Sequence, residues 1–209
     1  MVDEFELTVK PKVPYKEMRI RKFKMVDRLK ERLKQGMALR EDNLWLSLFH
    51  TASTVVNTEQ TASSGLSKDI LAHGVAEIEN NRLQAASIIC NPAAVSGIRR
   101  WNRDQIDETA RIEIREAGYL GRLWNSNFFI TDLISINSST KYTYAYILAG
   151  PQFLAWMPIR ADGEIVPADR PDDNLFGFNG YSLMGMIVHN NKGAARVKFL
   201  STGTTTTAQ

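Results

Sequence analysis

The stretch that decides the fold runs from Tyr146 to Leu200 and reads YILAGPQFLAWMPIR, then ADGEIVPADRPDDNLFGFNG, then YSLMGMIVHNNKGAARVKFL. The first part continues an apolar run that predicts a strand over Tyr142–Leu148, ended by a Gly-Pro pair. The second part places prolines and glycines among acidic residues, which predicts an ordered but irregular surface loop. The third part holds two apolar runs, Leu183–Val188 and Ala195–Leu200, separated by Asn, Lys and Gly. Two such runs predict a β-hairpin.

Three separated pieces of this stretch resemble the C-terminal part of a known protein family. They are Phe153–Arg160 (FLAWMPIR), Val166–Pro171 (VPADRP) and Gly180–Met186 (GYSLMGM) with the runs that follow it. In this order they resemble the major capsid proteins of tailed bacteriophages, which have the Hong Kong 97 fold. The resemblance implies an α+β fold, with a peripheral domain built from a long spine helix and a β-sheet, and an axial domain.

The resemblance also implies a division of the chain. Residues 1–14 would form a strand of an extended loop that reaches over an adjacent subunit. Residues 15–91 and 179–209 would form the peripheral domain, with the spine helix at about 67–86, and residues 92–178 would be mostly axial. The sequence differs from the family pattern in one respect, because it starts at what resembles the returning strand of the extended loop, without the N-terminal arm.

Composition is that of an ordinary globular protein, with 209 residues, 44% apolar and 23% charged. This length fits one domain, or one domain with two lobes. No apolar run approaches the roughly 20 residues that span a bilayer, and the first residues do not have the pattern of a signal peptide. The single cysteine, Cys90, has no intramolecular partner, which favours a reducing compartment such as a cytoplasm.

The charge of the chain is unevenly distributed. The segment Lys10–Lys34 holds 11 Lys or Arg and three acids, a net charge of +8, whereas the whole chain carries only +3. The remainder is therefore acidic, and five of its acids lie in one segment, at 162–173. Such asymmetry indicates either contact with nucleic acid or a basic face that meets an acidic face of another copy.

The N-terminal part predicts one strand and two helices. Alternation over Glu4–Val9 predicts a strand with one apolar face, and the prolines of Lys10–Pro14 end it. A helix is predicted over Tyr15–Gln35, ended by Gly36. A second, shorter helix is predicted over Glu41–His50, where the two acids at its start suit the helix dipole and the histidine ends it.

The next segment predicts a long helix and a strand-helix pair. Ser67 is suited to cap a helix that runs to about Ala86, a length of about 30 Å. Because Gly inside a helix costs about 1 kcal/mol relative to Ala, we expect Gly74 to serve close packing. Ser87–Cys90 predicts a short strand, and Asn91 with the proline that follows it predicts the start of another helix.

No arrangement typical of catalysis or of metal binding occurs. The three histidines lie far apart in the sequence, without a cysteine or acid at ligand spacing. No serine lies in a Gly-x-Ser-x-Gly elbow, and no phosphate-binding Gly-x-x-x-x-Gly-Lys loop is present. Cys90 follows two isoleucines, as a buried small residue would. The sequence therefore predicts neither an enzyme nor a cofactor.

The resemblance implies that function lies in surfaces between copies. We expect contacts from the basic segment and from a few residues elsewhere. The candidate contact residues are Lys10, Lys12, Arg19, Arg21, Lys22, Lys24, Arg28, Arg99, Arg100, Arg160, Asp169 and Arg170.

The implied partners are further copies of the chain, as hexamers and pentamers of an icosahedral shell, and packaged double-stranded DNA held by non-specific contacts. Portal, scaffolding or decoration proteins are further implied partners, and a membrane is not. The implied location is the virion, with the host cytoplasm during assembly.

Two other functions are compatible with the sequence. An encapsulin-like compartment shell would have the same fold but would enclose cargo proteins in place of DNA. A basic nucleic-acid-binding module would use the arginines and lysines of residues 19–28, with an affinity that falls steeply as salt rises. The few aromatic residues placed for base stacking count against this module.

Overall fold

The computed structural model describes residues 4–20, 25–63, 65–98, 121–168 and 171–201. The chain divides into two compact units. The first comprises Met1–Trp45 and Met157–Ile187, and the second comprises Leu46–Trp156 and Val188–Gln209. These units follow from contacts within the chain, so the expected assignment of residues to peripheral and axial domains stays a prediction.

The described strands, in chain order, are β1 Phe5–Val9, β2 Lys12–Pro14, β3 Gln60–Ala62, β4 Ala85–Cys90, β5 Arg122–Leu123, β6 Ser126–Ile130, β7 Tyr142–Ala149, β8 Ala155–Trp156, β9 Ile159–Pro167, β10 Leu175–Met184, β11 Ile187–Val188 and β12 Ala194–Leu200. The described helices are α1 Tyr15–Ile20, α2 Met25–Ala52, α3 Lys68–Asn80, α4 Pro92–Ile98 and α5 Pro151–Leu154.

The sheet of the first unit is centred on β10. Strands β1 and β9 both pair with β10 in antiparallel register, and β2 pairs with its first residues. The predicted N-terminal strand is therefore confirmed. The predicted end of this strand at Lys10–Pro14 is also confirmed, because β1 stops at Val9, and the chain pairs with β10 again only at β2.

The predicted irregular loop over 161–180 is wrong, since most of it lies in β9 and β10. The prolines of this segment lie where the sheet does not need the backbone N–H that proline lacks. Pro167 is the last residue of β9, and Pro171 begins a 3-10 turn. The glycines of β10 fit because neighbouring groups approach closely there: a Cβ on Gly177 would lie 2.9 Å from the carbonyl oxygen of Pro11.

Helix α2 is continuous over 28 residues, about 42 Å at 1.5 Å per residue, and is the longest helix of the described residues. The predicted break at Gly36 and restart at Glu41 are therefore wrong. The apolar residues Leu29, Leu33 and Met37 recur at helical spacing on the buried side of the helix and bracket the glycine. A helix whose buried stripe continues past a glycine gains more from packing than the glycine costs.

The second unit is built on a mixed six-stranded sheet in the order β3-β12-β7-β4-β6-β5. The predicted C-terminal hairpin is wrong. Strand β12 lies between β7, which is antiparallel to it, and β3, which is parallel to it. The run Leu183–Val188 is divided between β10 and the short β11. Residues Asn191–Gly193 form a 3-10 turn, with the Asn190 side chain as its cap, where a hairpin turn was expected.

Helix α3 packs across this sheet. Ser67 caps it as predicted, because its Oγ accepts a hydrogen bond from the Ile70 amide at 3.4 Å. The predicted close packing at Gly74 is confirmed. A Cβ there would lie 2.6 Å from Ile147 Cδ1 and 2.9 Å from Val197 Cγ1, and both of these side chains are fully buried.

The predicted length of this helix is wrong, since α3 spans 13 residues rather than about 20. Asn81 ends it by donating from its side chain to Glu77 O at 2.8 Å and to Asn57 Oδ1 at 3.0 Å. Arg82 then adopts a positive φ of 61°, which no helical residue has.

The start of α4 is as predicted from the Asn-Pro pair. The Asn91 side-chain oxygen accepts from the Ala93 amide at 2.9 Å, and its amide group donates to Ile134 O. Val95 and Ile98 are buried, as expected for the inner side of this helix. The helical spacing of the apolar residues also predicts Trp101 on this inner side, but Trp101 lies outside the described residues.

Candidate assembly surfaces

The first unit has two layers, with α2 on one face of the β1-β10-β9 sheet. Leu7, Leu33 and Phe178 belong to the apolar cluster between the layers. Alternation along β1 leaves Glu6 and Thr8 exposed on the far side of the sheet. The outer side of α2 and the outer side of the sheet are therefore two opposite surfaces of this unit.

The outer side of α2 is basic over residues 27–34, and we call this part the helix face. Over residues 27–34 it carries four Lys or Arg and two acids, all of them exposed. The bases are Arg28, Lys30, Arg32 and Lys34. The Lys30 ammonium lies 5.3 Å from the centre of the Phe178 ring, so its aliphatic stem lies along apolar surface while its charge stays at the rim.

The outer side of the sheet is acidic, and we call it the sheet face. Tyr181 donates its hydroxyl hydrogen to Glu164, and Thr8 donates to Glu6 Oε1 at 3.0 Å. The hydrogen bond to Glu164 raises the pKa of Tyr181, with smaller contributions from burial and from the negative charges of Glu164 and Glu6. Two carboxylates therefore act on one tyrosine at this surface.

Arg160 lies at the end of the sheet face. Its guanidinium is 3.4 Å from the Glu4 carboxylate, and the two side chains are 76% and 47% exposed. A pair this exposed contributes at most about 1 kcal/mol to stability, so it can be exchanged for another partner at little cost. Beside it lies a cavity of about 240 Å³, lined by Glu4, Pro158, Ile159, Arg160, Met184 and Gly185.

Strand β9 forms an exposed edge of the same sheet. Within the part of the chain that the structure describes, β9 pairs with β10 alone. Its residues Ile159 and Val166 are large apolar side chains with 47% and 45% of their surface exposed. An edge strand with unpaired backbone groups and exposed apolar residues is a natural site for association with another chain.

Four of the predicted contact residues can be placed. Lys10, Lys12 and Arg28 are exposed, and Arg160 is exposed and paired with Glu4. The others lie wholly or in their side chains outside the described residues. They are Arg19, Arg21, Lys22, Lys24, Arg99, Arg100, Asp169 and Arg170.

Sequence reasoning found Glu164 among the five acids at 162–173, but it missed that Glu164 and Glu6 lie on one face. Glu6 and Glu164 are distant in sequence and come together only because β1 and β9 flank the same strand. The alternation over Glu4–Val9 was the available signal, since it places two acids on one side of a strand.

The described residues offer little for catalysis. No group of three or more His, Cys, Asp or Glu among them is placed to hold a metal ion. Cys90 is fully buried, and burial raises the pKa of its thiol to about 12, so it is not a thiolate at neutral pH. None of the described helices is long and apolar enough to cross a membrane.

The comparisons with known proteins identify the fold. No family model and no curated protein sequence matches the chain. Among solved structures, a chain of the capsid of a native GTA particle is 16% identical, with a TM-score of 0.70, over 95% of this chain and 73% of that one. A chain of Mycobacterium phage Che8 is 13% identical, with a TM-score of 0.68, over 95% and 71%.

A third similar structure is the capsid of cyanophage P-SCSP1u, which is 10% identical with a TM-score of 0.70, over 96% of this chain and 73% of that one. The chain therefore has the Hong Kong 97-type fold of phage major capsid proteins, as its resemblance implied.

Proposed function

We propose that the protein is a major capsid protein, a structural subunit that assembles in many copies into a closed icosahedral shell around double-stranded DNA. The observation that carries this proposal is the similarity of at least 95% of the chain to chains of a cyanophage capsid and of a GTA particle capsid. The subunit works in the virion and is assembled in the host cytoplasm. Its partners are other copies, the packaged DNA and the proteins that complete the particle.

The surfaces of the first unit support a specific contact between copies. The helix face is basic and the sheet face is acidic, and the two lie on opposite sides of the same unit. Opposite faces of opposite charge cannot pair symmetrically, because each would meet its own sign. They suit a head-to-tail contact, in which the helix face of one copy meets the sheet face of the next. Such contacts form a ring when the rotation from copy to copy closes on itself.

The contact set follows from these faces. In this contact Arg28 and Lys34 of the helix face would meet Glu6 and Glu164 of the neighbouring copy. Arg160, whose partner Glu4 holds it weakly, would exchange this partner for an acid of the neighbour. Lys10 and Lys12, both exposed, would extend the basic surface. Contacts at several edges of each subunit act together, so each can be weak.

A charge-reversal series tests the proposal. We expect Arg28→Glu with Lys34→Glu to lower the fraction of chain in closed shells by about tenfold or more, because facing like charges cost several kcal/mol and 1.4 kcal/mol is tenfold. The shells are counted by negative-stain electron microscopy after purification at low salt.

Two further variants make the test specific. Adding Glu6→Lys and Glu164→Lys to the first variant reverses both faces, and we expect it to restore shells. The matched control reverses Lys141 and Lys192, two exposed bases of the second unit, and we expect it to assemble as the unaltered chain does. If the unaltered chain forms shells and the charge reversals do not change their number, the proposed contact is refuted. If the unaltered chain forms no shells at all, the proposed function is contradicted.

A further inference from the structure

A polar cluster within the second unit joins the end of α2 to the six-stranded sheet. His50, in the last turn of α2, lies against Tyr144 and Tyr146 of β7 and against Arg196 of β12. Arg196 Nη1 is 2.9 Å from His50 Nε2, and the Tyr146 hydroxyl is 2.8 Å from His50 Nδ1. Glu59, which precedes β3, forms an ion pair with Arg196.

The contacts of the His50 ring favour its neutral form. A guanidinium only donates hydrogen bonds, and Arg196 Nη1 lies 2.9 Å from His50 Nε2 and 3.2 Å from His50 Nδ1, so it can bond only to a ring nitrogen that carries no proton. We assign Nε2 as the acceptor because its contact with Arg196 is the shorter one, and Nδ1 then carries its hydrogen toward the Tyr146 oxygen. A second proton, on Nε2, would place an N–H against an N–H and a positive ring against a positive guanidinium.

The position of Arg196 explains why this histidine differs from the one expected at a helix end. A histidine in the last turn is normally stabilised in its charged form by the helix dipole. Here Arg196 already provides the cation at this end, within 3.5 Å of the His50 carbonyl oxygen, and its guanidinium carbon lies 5.0 Å from the centre of the Tyr144 ring.

The groups around the His50 ring shift its pKa in opposite directions. Burial and then the charge of Arg196 lower the pKa of His50, and the charge of Glu59 opposes them. Tyr146 stays neutral at any moderate pH, because burial raises its pKa to about 12. The groups that face His50 from the neighbouring elements are thus Tyr144 and Tyr146 from β7, Arg196 from β12, and Glu59.

We propose that the His50–Arg196 contact is a proton-operated latch, which holds the last turn of α2 on the sheet at neutral pH and releases it when the ring takes up a proton. Release converts the hydrogen bond into a repulsion between two cations and frees the charged ring to reach water. Glu59 keeps Arg196 in place on β12, so the helix end moves and the sheet does not. The latch is independent of the shell function, since it concerns contacts within one chain.

The direction of the pH effect follows from linkage. In the released state His50 is solvated and has its ordinary pKa of 6.5, whereas in the latched state its pKa is lower. The released state therefore binds more protons as the pH falls below about 6.5, and the latch weakens over this range. Above that pH both states are neutral at this residue and the latch has its full strength.

The test is amide hydrogen exchange of the full chain at pH 7.5 and at pH 5, expressed as the ratio of intrinsic to observed exchange rates. The probe is the Ser53 amide, which donates to Phe49 O at 2.9 Å at the end of α2. We expect its protection to fall on acidification by up to about tenfold for each unit by which the latched pKa lies below 6.5. His50→Gln, which cannot titrate, is expected to lose this dependence.

His73→Gln is the matched control, because His73 is exposed on α3 and makes no part of the cluster. It is expected to keep the pH dependence of the unaltered chain. The His50 ring is also followed directly by NMR in the unaltered chain, where a titration midpoint below 6.5 is expected. A midpoint at or above 6.5, or equal pH dependence in His50→Gln and the unaltered chain, would overturn the latch.

Discussion

Two glycines inside helices differ in how closely other groups approach them. At Gly74 the helix α3 approaches the sheet so closely that a methyl group would overlap Ile147 and Val197. At Gly36 a Cβ would lie 3.5 Å from Val9 Cγ1, which is an ordinary contact distance. The first glycine is required by packing, whereas the second only weakens its helix.

This contrast predicts opposite effects of the same substitution. Gly74→Ala gains up to about 1 kcal/mol of helix propensity but incurs about 1–3 kcal/mol of overpacking, so we expect a net loss of unfolding free energy. Gly36→Ala has no clash to offset its gain, and we expect it to stabilise by up to about 1 kcal/mol. Denaturant titrations of both variants measure the difference, and a stabilising Gly74→Ala would show that the overlap is relieved by a small shift.

At the scale of single residues, the sequence predicted what depends on near neighbours. Ser67 and Asn91 are caps that bond to amides two or three residues away, so their roles could be inferred from local order. The close packing at Gly74 followed from the cost of a helical glycine. The partners of His50 could not be inferred, since Tyr146 and Arg196 lie 96 and 146 residues further along the chain.

Among the elements, α2 and the sheet of the first unit depend on each other at one point. Leu33 is fully buried and sits over Gly180 of β10, where a Cβ would come within 2.9 Å of Leu33 Cγ. Large and small residues thus interlock between the helix and the central strand.

A double-mutant cycle tests this interlock. We expect Leu33→Ala to cost about 2–5 kcal/mol of unfolding free energy, as truncation of a buried leucine does. Gly180→Ala is expected to be destabilising alone but nearly neutral in the Leu33→Ala background, because the added methyl group enters the space that the leucine leaves. The coupling expected for contacting residues is about 0.5–3 kcal/mol, and additive effects in the two variants would contradict direct contact.

Sequence patterns predicted some of the helices and strands wrongly. Gly36 indicated the end of a helix, but the buried stripe through Leu29, Leu33 and Met37 continues past it, and tertiary packing outweighs local propensity. The two C-terminal apolar runs indicated a hairpin, yet β12 pairs with β3 and β7. Strand pairing between distant segments is decided by the whole sheet, and no pattern within either run records it.

Over the whole molecule, the resemblance of three separated sequence pieces predicted the fold, and the similar solved structures confirm it at 16% identity and below. The basic segment and the acids at 162–173 were visible in the sequence, but the position of Glu6 and Glu164 on one face of a sheet was not. A chain whose first unit has opposite charges on opposite faces is suited to bind copies of itself, because the basic face of one copy attracts the acidic face of another.

The native mass of the purified chain tests the central claim most directly, measured by sedimentation over a range of concentrations and salt. One chain has a mass of 23.6 kDa. The account predicts particles of megadalton mass that dissociate as salt screens the two charged faces. A species that stays at the mass of a single chain at every concentration and at low salt would contradict it.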